Sequence, residues 1–80
     1  MVVLRLFAAA REAAGTGSAE MSGVTVSEVL AEARGRFGDD FAQVLAASRV
    51  WLNGQPVDED SPVSATDEVA VLPPVSGGTG

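Results

Sequence analysis

The segment VAVLP, residues 69–73, sets four apolar side chains in a row ahead of a proline, and its place in the molecule decides what the rest of the chain can build around it. A run this short and this apolar reads as a strand buried on both faces. Pro73 has no backbone N–H and ends its pairing. Such a strand belongs in the middle of a sheet, so its neighbours must be found earlier in the chain.

Upstream, VVLRLF (2–7) alternates as a strand does: Val2, Leu4 and Leu6 point one way, and Val3, Arg5 and Phe7 the other. AAAREAAG (8–15) is rich in helix formers and stops at glycine, which predicts a short helical turn. SAEMS (18–22) reads as a second strand, antiparallel to the first, with Ala19 and Met21 facing inward. The clearest local signal is TVSEVLAEARGRFG (25–38). Thr25 and Glu28 stand at capping-box spacing, Val26, Val29, Leu30, Ala33 and Phe37 recur at helical intervals, and Gly38 supplies the stop. DDFAQVLAA (39–47) is read as one short helical turn that presents Phe41, Val44 and Leu45 for packing. RVWLNGQPV (49–57) alternates around Asn53-Gly54, the strongest short hairpin signal, because both residues tolerate positive φ. Pro56 places the second, brief strand at an edge.

The order strand, strand, helix, strand, short strand, strand is satisfied by an α+β domain in which one mixed sheet packs on one main helix, with the last strand central. That is a β-grasp arrangement. A ferredoxin-like split βαβ would need a second full helix. The expected domain is residues 1–74, with residues 75–80 as a flexible C-terminal tail.

Eighty residues make one small core, since a chain of this length buries only about 60% of its unfolded surface. The chain has no cysteine, histidine, lysine or tyrosine, which removes disulfides, thiolate and imidazole metal sites and the commonest catalytic bases. Eleven acids against five arginines give a net charge of −6, which disfavours nucleic acid or an anionic membrane as partner and suits a basic protein surface. The first residues have an arginine within their apolar stretch and do not read as a signal peptide, so the expected compartment is the cytoplasm. Asp39-Asp40 and Asp58-Glu59-Asp60 lack the spacing of a calcium loop and read as helix N-terminal charge and solvated loop, so no metal site is expected. No serine has a basic partner to make it a nucleophile. Trp51 shares a strand face with Arg49, outward from the helix, as ordinary surface or as a partner anchor.

The tail PPVSGGTG is the remaining candidate. Pro73 and Pro74 hold an extended rod, Val75 and Ser76 follow, and Gly77 and Gly78 remove every side chain beyond Cα. Such a probe can enter a narrow channel in another protein and present main-chain chemistry there.

Taken together, LRLFAAAREAAG, TVSEVLAEARGRFG, VWLNGQPV and DEVAVLPPVSGG resemble the MoaD/ThiS sulfur-carrier family, most of all the small subunit of molybdopterin synthase. The opening LFAAARE and the closing PPVSGG carry the specific likeness. The resemblance implies a ubiquitin-like β-grasp fold and a carrier with no catalysis or bound cofactor of its own. Its terminal glycine carboxylate would be adenylated by a separate E1-like enzyme that uses ATP, then converted to a thiocarboxylate with sulfur from a sulfurtransferase. The loaded tail would enter the large subunit of molybdopterin synthase, where two sulfurs complete the dithiolene of molybdopterin. By position Gly78 would be the acyl carrier, and Phe7, Leu72 and Pro56 would meet the large subunit. Thr79 and Gly80 follow Gly78, so a processing protease is expected to remove them; otherwise Gly80 serves, or this copy is inactive or carries an added end. Carriers for thiamine, cysteine or another thio-metabolite, and a ubiquitin-like protein modifier, are the alternative functions.

Overall fold

The structure, a computed structural model, describes residues 1–74; Val75, Ser76, Gly77, Gly78, Thr79 and Gly80 lie outside the described residues. The elements run β1 (Val2–Leu6), α1 (Ala8–Ala14), β2 (Ser18–Met21), α2 (Val26–Phe37), α3 (Asp39–Ala46), β3 (Arg49–Leu52), β4 (Gln55–Pro56) and β5 (Glu68–Leu72). The sheet order is β2-β1-β5-β3-β4, with β5 at the centre as its apolar run predicts. β1 and β5 are parallel, and the other pairs are antiparallel. This is the mixed sheet of a ubiquitin-like β-grasp.

Inward side chains follow the alternation read from the sequence. Val2, Leu4 and Leu6 of β1, Met21 of β2 and Val69 and Val71 of β5 are buried, and Val26, Val29, Leu30 and Ala33 of α2 close over them. Each fully buried aliphatic side chain of this kind contributes roughly 1.5–3 kcal/mol of transfer free energy. The Thr25 hydroxyl accepts from Glu28 N–H at 3.2 Å, while Glu28 Oε1 reaches back to Val24 N–H at 2.9 Å. The capping box therefore forms, displaced by one residue on its return bond. Two further N-terminal amides of α2, Val26 and Ser27, donate to the carbonyls of Ser61 and Glu59 at 2.9 and 2.8 Å. The acidic loop thus wraps the positive end of the helix, as its charge suggests.

Two expectations change. The segment after Gly38 is a full eight-residue helix rather than a single turn, because Phe41 and Leu45 lie one turn apart and both bury, with Asp39 and Asp40 in the first turn. The Phe41 ring meets Phe37 edge-on at 5.2 Å between centroids. β5, in turn, is not buried on both faces. Val69 and Val71 are fully covered by the helices, whereas Ala70 and Leu72 are only half-buried on the other side. The three helices line one face of the sheet, so the second face stays open and the apolar residues there are only partly covered within the described residues.

Candidate partner-docking site at the tail exit

The open face is built from the strand register. Trp51 lies opposite Ala70 on β5 and opposite Pro56 on β4. Arg5 lies beside the same Ala70 from β1, and Arg49 opposite Leu72. Leu6 pairs with Val71 in parallel register, and Phe7 keeps an extended backbone at φ −127, ψ 154 before α1 begins. Phe7 and Leu72 are therefore the next residues along two parallel strands, and alternation sets both on the open face. Phe7 is 41% exposed. The three positions named as partner contacts, Phe7, Leu72 and Pro56, fall on one face, with Phe7 and Leu72 at the end where the chain leaves the sheet.

At that end Ala47, Arg49, Trp51, Leu72, Pro73 and Pro74 line an open groove of about 300 Å³. Its walls are mostly apolar, and its cation is Arg49. The remaining tail residues, Val75 through Gly80, lie outside the described residues, Gly77 and Gly78 included.

Charge is distributed unevenly over the open face. Arg5 pairs with Glu68 at 3.1 Å, both groups about half exposed. Among the described residues Arg49 makes no ion pair and no side-chain hydrogen bond, although it is exposed. Farther from the tail exit, Asp67 accepts from Asn53 Nδ2 at 3.0 Å and from Ser64 N–H at 2.8 Å, and these bonds hold its carboxyl below the usual 3.8. Among the described residues no group of histidine, cysteine or carboxylate side chains is arranged to hold a metal, and no helix is long and apolar enough to cross a membrane. The described body offers a surface rather than an array of reacting side chains.

The sequence motifs read Asn53 only as a turn residue, did not single out Arg5 or Ala70, and left Trp51 undecided between surface and anchor. Their alternation already placed Arg49 beside Trp51, and Arg5 beside Phe7, on outward faces. What joins the two strands into one surface is their shared register with β5, which local patterning does not contain.

The sequence profile of the ThiS family matches residues 4–78, nearly the whole chain. The chain belongs to the MoaD/ThiS sulfur-carrier family. Among solved structures, the carrier is similar to small archaeal modifier protein 1 of Methanosarcina acetivorans, at 28% identity and a TM-score of 0.86, over 96% of this chain and 95% of that one. It is also similar to molybdopterin converting factor subunit 1 of Pyrococcus furiosus, at 27% identity and a TM-score of 0.81, over 92% and 97% of the two chains. Likeness extends to the complex of subunits 1 and 2 of the molybdopterin-converting factor of Helicobacter pylori, at 22% identity and a TM-score of 0.73, over 96% and 97%; at that identity the likeness is one of fold. No curated protein sequence matches the carrier.

Proposed function

We propose that this carrier delivers sulfur in molybdopterin synthesis on the backbone carboxyl of Gly78, exposed by proteolytic removal of Thr79 and Gly80. The single observation that carries the reading is the family match, which runs through Gly78 and stops before Thr79. The likeness to a molybdopterin converting factor subunit 1 supports the pathway. The position of the groove supports the mode of action: Pro73 and Pro74 leave the central strand beside an uncovered apolar face, so a partner seated there would receive the tail directly.

In this reading the Gly78 carboxylate attacks the α-phosphate of ATP on an E1-like adenylating enzyme, forming the acyl-adenylate and releasing pyrophosphate. A persulfide sulfur on a sulfurtransferase then displaces AMP to form an acyl disulfide, and a second thiol attacks the sulfurtransferase sulfur of that bond, leaving the thiocarboxylate on Gly78 and a disulfide between the two thiols. The large subunit of molybdopterin synthase accepts the loaded tail and supplies the catalytic side chains. The carrier contributes no cofactor, ATP is consumed on the activating enzyme, and the cytoplasm is the compartment. The test is pyrophosphate exchange with the activating enzyme from the same cell. A chain ending at Gly78 should support exchange and the 80-residue chain should not; exchange by the 80-residue chain alone would overturn the role of Gly78.

A second reading is favoured by the likeness to small archaeal modifier protein 1. The same activated Gly78 would then be transferred to lysines of other proteins. The carrier has no lysine, so chains of itself through lysine would not form. Higher-mass conjugates in extracts of the native cell would mark this reading.

A further inference from the structure

We propose that Arg49, exposed beside Trp51 at the mouth of the tail-exit groove, selects a partner whose surface rings an apolar contact with carboxylates. This inference rests on the reading that the tail is handed to another protein, and it adds the chemistry by which that protein is chosen.

The argument is one of charge placement. The body is strongly acidic, at −6, and as a whole suits a basic surface and repels an acidic one at long range, so a partner's carboxylate is favoured only locally, where a cation stands unpaired. Most of its carboxylates lie on the helix side and in loops: Glu28 and Glu32 on α2, Asp39 and Asp40 at the start of α3, and the loop Asp58, Glu59 and Asp60, while Glu20, opposite Val3, lies on the open face at the end away from the tail exit. Glu68, on the open face, is held by Arg5. The tail-exit end of that face carries Arg49, Trp51, Leu72 and Phe7 and no carboxylate from its strands. Arg49 is the cation there and makes no ion pair among the described residues, although the β3–β4 register, continued by the bond from Val57 N–H to the Val50 carbonyl, brings Asp58 next in line with it. An unpaired guanidinium at the rim of an apolar patch, on an otherwise negative molecule, orients approach by that patch and rewards a carboxylate across the interface. Trp51, half-buried on the same strand face, supplies a broad apolar contact next to it. The occupant is therefore a protein surface with an apolar centre and an acidic rim. A second copy of this chain, presenting its own acidic helix side, is the competing occupant.

The experiment measures binding of the chain ending at Gly78 to the purified large subunit from the same cell, at low and at high salt. Arg49→Glu and Arg49→Ala are the variants, with circular dichroism to confirm that both fold. Because Arg49 is exposed and holds no described ion pair, both should keep the wild-type melting temperature. Arg49→Glu should weaken binding roughly tenfold at low salt, Arg49→Ala less, and both should flatten the salt dependence. Unchanged affinity and unchanged salt dependence in Arg49→Glu would overturn the role of Arg49 while leaving sulfur delivery standing. Absence of wild-type binding would overturn the functional reading itself. Salt-sensitive self-association that Arg49→Glu abolishes, seen by analytical ultracentrifugation, would overturn the acidic partner in favour of a second copy.

Discussion

Asn53 and Asp67 lock the turn after β3 to the turn before β5: Asn53 Nδ2 donates to Asp67 Oδ1 at 3.0 Å, while Asn53 Oδ1 accepts from the Glu68 amide at 2.9 Å. The main chain joins in, with Asn53 N–H donating to the Glu68 carbonyl at 2.9 Å. One residue thus forms the hairpin turn, at φ 51 with Gly54 at φ 84, and extends the β3–β5 ladder beyond Leu52.

The Asp67 carboxyl is held below its ordinary 3.8 chiefly by the Asn53 amide, then by Ser64. A lowered folded value means the clip stabilises the fold fully above about pH 4. That contribution is lost as the pH falls through the folded value. Asp67→Asn should therefore melt below wild type at pH 7, and the two curves should converge near pH 2. Thermal melts across that range check it; a constant difference at every pH would contradict the clip.

Gly23 sits where the chain approaches α2, at φ 152, and a Cβ there would lie 2.9 Å from Val29 N and 3.0 Å from the Glu28 side chain. Both the backbone conformation and the space oppose a side chain. Gly23→Ala should cost about 1–3 kcal/mol in urea unfolding, and Gly35→Ala, with nothing within 4 Å of its Cβ and a helical position, should not destabilise.

Phe41 is fully buried at the junction of α3 with the other helices, whereas Phe37 is only partly covered. Phe41→Ala should cost about 3–5 kcal/mol, a large fraction of what a domain of this size has. Phe37→Ala should cost clearly less. Equal losses would mean that the full burial of Phe41 does not set its weight in the core.

Phe7 and Leu72 follow Leu6 and Val71 at the end of β1 and β5 on the open face, so under the proposed function replacing either would affect the partner more than the fold. Phe7→Asp should keep a melting temperature close to wild type and weaken binding to the large subunit at least tenfold, as the loss of a central apolar contact would. Calorimetric titration of the folded variant checks both halves of the statement. Unchanged affinity would remove the open face from the interface.

The alternation of β1, the capping box of α2, the Asn-Gly hairpin and the central position of β5 were all legible, because each is written in residues close together in sequence. Ala70 and Leu72 misled for a physical reason: an apolar side chain reads the same whether helices or a future partner cover it. Asp39-Asp40-Phe41 was read short since eight residues with one turn of buried contacts give little periodicity to count. The open face was only half legible. Its outward residues follow from alternation, but the juxtaposition of Arg49 with Leu72, and of Arg5 and Trp51 about Ala70, depends on the register between strands that are distant in the chain.

The central claim is that the folded body presents and Gly78 reacts. Cells lacking the small subunit of molybdopterin synthase, and also lacking the processing protease, separate the two most directly when molybdopterin is measured in their extracts. The account predicts that the chain ending at Gly78 restores molybdopterin, and that the 80-residue chain and a chain ending at Ser76 do not. Restoration by the chain ending at Ser76 would contradict it.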